Sequence, residues 1–185
     1  MTLTPAANLI LSSLTVIGQV IIILAIISFI ARPVRALGFI GTHGLWFSFV
    51  VALVATLGSL FYSEVAGYEP CKLCWFQRIF MYPQVILFGV ALWKRDRDIS
   101  DYALALSGIG AIIAGYHYLL QRGIAPELPC SAVGYSVSCS QVFVMNFGYI
   151  TIPLMAFTAF ALIVMAQTIG KRAGKESAQK EQRRA

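Results

Sequence analysis

The sequence predicts an all-α membrane protein with five transmembrane helices, and three observations carry that prediction. Of its 185 residues, 58% are apolar and 12% charged, with a mean hydropathy of +0.77. A soluble domain carries about 25% charged and roughly 45–50% apolar residues. The apolar residues gather into five runs of 19 to 22 residues, the length that crosses about 30 Å of hydrocarbon as a helix. The basic residues fall almost wholly into alternate connections between those runs. Such a composition excludes a soluble globule, a disordered chain and a nucleic-acid module.

The first run, Leu9–Ile30, is too long for the apolar stretch of a signal peptide, and Met1–Asn8 holds no Lys or Arg. Arg32 and Arg35 follow it instead, the pattern of a retained helix with its N-terminus outside. His43–Ser63, Trp75–Trp93, Tyr102–Leu120 and Tyr149–Ile169 are the other four runs, helical because backbone groups in lipid must be satisfied internally. Only Trp75–Trp93 carries a charge, Arg78, close to its start. Pro83 and Pro153 fall inside runs and are expected to kink them; Pro83 leaves the Ile79 carbonyl without its donor.

Segments 31–42, 94–101 and 170–185 then lie on the cytoplasmic side. They hold 11 of the 14 basic residues and five of the eight acids, which accounts for the whole net charge of +6. That surplus is a positive-inside signal, so no nucleic-acid partner is needed to explain it. The polar tail from Gly170 reads as a frayed helix end or a disordered segment with solvated charges.

All four cysteines fall outside, Cys71 and Cys74 in a short loop, Cys130 and Cys139 in the longest one. An oxidising compartment lets disulfides persist there. Two structural disulfides would explain Cys130 and Cys139 adequately. They explain Cys71-Lys72-Leu73-Cys74 badly, because a two-residue gap restrains little unfolded-state entropy and favours exchangeable geometry. Such a pair is redox-active or metal-binding. Zinc sites pair it with a second close pair or two histidines. Here the second pair is nine positions apart, and neither His43 nor His117 adjoins a cysteine. Redox chemistry is the expectation, and no metal site.

A helix starting near Cys71 puts both sulfurs at its N-terminus, where the dipole favours a thiolate. Arg78 follows Cys74 by four residues, on the same helical face and able to pair with it; the bland alternative is a snorkelling anchor. Trp75 and Phe76 fit either an aromatic belt or a flat-ring binding wall. His117, in Gly115-Tyr116-His117-Tyr118, is a lone histidine on an apolar helix, a pattern met more often in packing than in catalysis.

Pro70-Cys71-Lys72-Leu73-Cys74-Trp75-Phe76-Gln77-Arg78, with Met81-Tyr82-Pro83 after it, closely resembles the DsbB/BdbC disulfide-bond-formation proteins. Gly148-Tyr149-Ile150-Thr151-Ile152-Pro153-Leu154 resembles the BdbC branch. The likeness runs from His43 to Ile169, 127 of 185 residues. It implies a four-transmembrane-helix bundle core that reoxidises a thioredoxin-like thiol oxidase and passes electrons to a membrane quinone, ubiquinone or menaquinone. By motif position, Cys71 and Cys74 are then the quinone-proximal pair, and Cys130 and Cys139 the partner-facing pair. Arg78 matches the family's quinone-site arginine and His117 a histidine found in some members, with Trp75 and Gln77 as further quinone contacts.

The chain departs from the family in two ways. Leu9–Ile30 adds one additional N-terminal transmembrane helix, and the second cysteine pair is closer together than in the longest-looped members. The expected division is therefore 1–42 for the extra helix and its cytoplasmic loop, 43–169 for a redox domain, and 170–185 for a basic cytoplasmic tail. Two rivals stand beside this reading. A vitamin-K-epoxide-reductase-like protein also couples thiols to a quinone, but there the loop pair precedes the Cys-x-x-Cys. A non-enzymatic membrane scaffold would use both pairs as structural disulfides; no intramembrane Asp or Glu marks an ion path.

Overall fold

A computed structural model describes residues 3–31, 38–96, 99–126 and 138–183. The chain forms α1 (Leu3–Ala31), α2 (Gly38–Leu60) with a π-helical extension at Phe61–Val65, α3 (Lys72–Lys94), α4 (Ser100–Gln121) and α5 (Ile152–Gln182). Among the described residues, five segments are long and apolar enough to cross a membrane: Leu3–Ser28, His43–Val65, Lys72–Lys94, Ser100–Gln121 and Ile152–Gly174. Among the described residues there is no strand, only an isolated antiparallel bridge between Asn146 and Ile150. The all-α, five-span expectation is met.

Helices α2 to α5 close a ring of neighbours, α2 on α3, α3 on α4, α4 on α5 and α5 back on α2, while α1 lies outside it against α5. The buried positions follow helical periodicity. On α3 they are Gln77, Met81, Gln84, Phe88 and Ala91; on α4, Ala103, Ser107, Gly110, Ala114 and His117. Small residues dominate the α4 face because helices in lipid gain from close approach, not from hiding apolar surface. Gly110 shows how close: a Cβ there would stand 2.3 Å from the Phe160 ring. Large apolar side chains such as Ile86 and Ile112 point outward, as a lipid-facing surface requires.

Buried polar side chains tie the ring together. Gln167 donates to Ser48 at 2.8 Å and accepts from Ser100 at 2.8 Å. Ser107 donates to Gln84 at 2.9 Å. Lys171 pairs with Asp101 at the end of the bundle remote from the cysteines.

The prolines and the helix ends take local structure that the apolar runs do not define. α3 runs unbroken through Pro83, beside which the Gln84 amide donates to the Phe80 carbonyl at 2.8 Å. Pro153 lies not in a helix interior but in the first turn of α5, where its missing N–H costs nothing. The run that begins at Tyr149 becomes helical only at Ile152, because 147–149 form a turn closed by the Asn146–Ile150 bridge. The tail continues α5 to Gln182, since Ala, Lys, Glu and Gln are strong helix formers.

Candidate active site at the cysteine end of the bundle

Cys71 is the N-cap of α3, with extended backbone (φ −70°, ψ 172°), and Cys74 lies one turn in. The Trp75 N–H donates to the Cys71 carbonyl at 3.1 Å, closing that first turn and bringing the sulfurs together. The Cys71 thiol donates to the Cys74 sulfur at 3.4 Å. This hydrogen bond, followed by burial, pushes the Cys71 thiol from 9.0 up to about 12, against a smaller opposing pull from His117. Cys71 therefore keeps its proton and points it at the Cys74 sulfur, which accepts the hydrogen bond.

Cys139 is packed against this pair. With Cys71 and Leu120 it forms a small buried cluster that Leu73, Cys74 and Ala125 cover. His117 joins the parts: its Nδ1 lies 2.9 Å from the Gln77 amide nitrogen, its Nε2 3.0 Å from the Cys139 carbonyl oxygen and 3.7 Å from the Cys71 sulfur. An amide N–H at Nδ1 makes that atom the acceptor, so the ring proton rests on Nε2 and is donated to the Cys139 carbonyl. A histidine 1% exposed thus links α3, α4 and the second loop. The ligand atoms of Cys71, Cys74 and His117 lie within 4.8 Å of one another, so the group has the composition of a soft-metal site as well as of a redox centre.

Arg78 is half-buried, and its hydrogen bonds go to α2. Nε donates to Ser59 Oγ at 3.0 Å and an Nη to the Ser59 carbonyl at 3.2 Å. The Tyr82 hydroxyl also donates to Ser59 Oγ, at 3.2 Å. The guanidinium lies 5.3 Å from the centre of the exposed Trp75 ring. The fork is anchored by hydrogen bonds on Ser59, one helix away, while its charge still acts on Cys74.

Beside Arg78 opens a chamber of about 310 Å³ between α1, α2, α3 and α5. Cys74, Gln77, Arg78 and Tyr82 border it, and Tyr68 and Phe143 close it at the cysteine end. Tyr62 stacks on Tyr68 (5.8 Å, 14°) and Tyr68 on Phe143 (5.0 Å, 15°), so three rings bridge α2, the first loop and the segment after Cys139. The π-helical turn Phe61–Val65 sets Tyr62 for this stack; such turns recur at functional sites. A second pocket of about 20 Å³ is lined by Cys71, Cys74, His117 and Ser138. Cys74 borders both spaces, Cys71 only the small one.

Of the residues singled out from the sequence, Cys71, Cys74, Gln77, Arg78 and His117 gather within this site, and Trp75 flanks it. Cys130 lies outside the described residues. Ser59, Tyr62, Tyr68 and Phe143 were not foreseen. A serine or tyrosine in an apolar run carries no local signal; only the packing of distant segments brings these four together.

A helical membrane bundle with a buried Cys-x-x-Cys at one end, and a third cysteine packed against it, defines a membrane thiol–disulfide protein. The model of the family described as disulfide bond formation protein DsbB matches residues 41–170, and the chain belongs to that family. Disulfide bond formation protein C of Bacillus subtilis is 45% identical over 123 residues, covering 65% of this chain and 87% of the relative. A probable disulfide formation protein C 1 of Bacillus anthracis is 41% identical over 127 residues, 69% of this chain and 91% of that one. A probable disulfide formation protein of Oceanobacillus iheyensis is 47% identical over 114 residues, 62% and 79%. No solved structure matches the chain significantly. Family membership carries a role in thiol oxidation and bears out the likeness seen in the motifs.

Proposed function

We propose that the protein is a thiol:quinone oxidoreductase that reoxidises a thioredoxin-like thiol oxidase on the outer side of the cytoplasmic membrane. In this reading residues 43–169 form the redox domain, the N-terminus is outside, the C-terminus is cytoplasmic and both cysteine pairs face out. The observation that carries it is the position of Cys74 on the partition between two spaces. On one side lie Cys71, His117 and Ser138; on the other, Arg78 and an apolar chamber.

The electron path follows from thiolate exchange. A partner thiolate attacks Cys130 of the Cys130–Cys139 disulfide, forming a mixed disulfide and releasing Cys139 as thiolate. Cys139 attacks Cys71 of the Cys71–Cys74 disulfide, and Cys74 leaves. The partner's second thiol then frees the partner as a disulfide and releases Cys130. Cys130 displaces Cys71 from Cys139 and restores the loop disulfide. Two electrons and two protons now reside on Cys71 and Cys74.

The chamber's residues fit a quinone, polar at the Arg78 end and hydrocarbon along its length. When bound, a quinone supplies an acceptor for two electrons and two protons. Arg78, held by Ser59, provides fixed positive charge beside Cys74, and the Tyr62–Tyr68–Phe143 stack excludes water from that end. Cys71 retains a proton next to Cys74 until the pair is oxidised.

The test is quinone reduction by the purified protein supplied with a reduced thioredoxin-like partner, followed by absorbance, with thiols titrated in parallel. Quinone-dependent loss of thiols is expected. Thiols that stay unchanged with and without quinone would leave two structural disulfides in a scaffold.

A further inference from the structure

The family match begins at residue 41, so α1 lies before it, yet α1 forms one wall of the chamber. The helix is seated specifically. A Cβ at Gly18 would lie 3.0 Å from Leu162 and 3.2 Å from Thr158, so the missing side chain lets α1 approach α5. At the cysteine end, the Asn146 amide donates to the Asn8 carbonyl at 3.0 Å and to Ser12 Oγ at 2.8 Å. The Tyr149 hydroxyl donates to Gln19 at 3.0 Å. Asn146 and Tyr149 both belong to the segment that follows Cys139, so the redox loop itself clasps α1.

Seated on α5, α1 nears α2 at Leu11, whose methyl carbons stand 3.3 Å from where a Gly58 Cβ would be. Beyond Leu11, a trough remains between Leu14, Ile17 and Ile21 of α1 and Val50, Val54 and Phe47 of α2. Phe47 to Ser59 is twelve residues, about 18 Å of helix. The two threonines on this wall spend their hydroxyls on their own helices, Thr15 on the Leu11 carbonyl at 2.8 Å and Thr158 on Leu154 at 2.9 Å. The trough is therefore hydrocarbon throughout, while the same chamber ends at Arg78, Ser59 and Tyr82.

We propose that α1 is the outer wall of a subsite for the polyprenyl tail of the quinone, so that the extra helix makes the protein selective for tailed quinones. The proposal rests on the quinone reading above.

The experiment uses the full chain in nanodiscs and two quinones with the same ring, one with a long polyprenyl tail and one with none. A photoreactive group at the tail's far end reports where the tail lies, mapped by mass spectrometry. Binding of both quinones is measured for the wild type and for Leu14→Trp and Ile17→Trp, which fill the trough from half-exposed positions away from the cysteines. Labelling of α1 between Leu11 and Ile21 is expected, with tailed-quinone binding weakened about tenfold in the variants by steric filling. Tail-less binding should stay within about twofold, because the polar end is untouched. If both quinones bind but α1 is unlabelled and the variants behave as wild type, α1 is only a neighbour and the proposal is overturned. If the variants lose both quinones equally, the trough belongs to the ring, and the tail assignment fails. Binding of neither quinone to the wild type would instead overturn the quinone reading itself.

Discussion

Replacing Arg78 by Ala tests the link between the chamber and quinone chemistry. The wild-type guanidinium makes two hydrogen bonds to Ser59, at 3.0 and 3.2 Å, and lies 5.3 Å from the Trp75 ring, so its charge is held in one place beside Cys74. Loss of one preorganised donor at a site of developing negative charge typically lowers kcat about 10²–10³-fold. Arg78 is half-buried, and solvent screening places it at or below the bottom of that range, roughly a hundredfold. Arg78→Lys keeps the charge but has no planar fork to span Ser59 Oγ and the Ser59 carbonyl, so its loss should be intermediate. Ser59→Ala keeps the fork and one of its two anchors, and should cost about tenfold or less. The assay is steady-state quinone reduction at several quinone concentrations, with mixed-disulfide formation at Cys130 followed separately. Partner exchange should remain near wild type in all three variants. Wild-type quinone kinetics in Arg78→Ala would reduce Arg78 to a strut between α3 and α2, and the acceptor site would have to lie elsewhere.

Three further outcomes are expected. Cys139→Ser should trap the partner on Cys130 as a mixed disulfide visible on a non-reducing gel, since the adjacent resolving thiol is gone; trapping only in Cys130→Ser would reverse the two roles. Reporter fusions should place the N-terminus outside and the C-terminus in the cytoplasm, and both ends on one side would contradict the charge-based orientation. In the reduced protein, alkylation of Cys71 should keep rising with pH beyond 9.0 toward about 12, read by mass spectrometry, whereas a plateau near 9.0 would refute the Cys71-to-Cys74 hydrogen bond. The linkage has a definite sign: a thiol raised on folding stabilises the reduced fold fully below 9.0, and that contribution fades as pH climbs from 9.0 to about 12.

The spans, their number and the Cys-x-x-Cys were legible in the sequence because each is a local property. An apolar run long enough to cross lipid has few structural options, and a two-residue gap at a helix start brings sulfurs together whatever surrounds them. The likeness to the disulfide-bond-formation family was likewise carried by short local motifs, at 70–83 and 148–154. Helix ends were less legible: the Asn146–Ile150 bridge, not hydropathy, delays α5 until Ile152 and turns Pro153 into a first-turn residue. What tertiary structure alone decided is who meets whom. Helical spacing put Arg78 within electrostatic reach of Cys74, but its hydrogen bonds are set by Ser59, whose oxygens come from another helix. His117 gained its partners from Gln77 on α3 and from the Cys139 carbonyl, 22 residues away. The Tyr62–Tyr68–Phe143 stack and the seat of α1 on α5 arise in the same way. In a chain that is apolar on every face, periodicity does not say which face turns inward; small residues, paired polar groups and shape make that choice, and they act only once the helices are side by side.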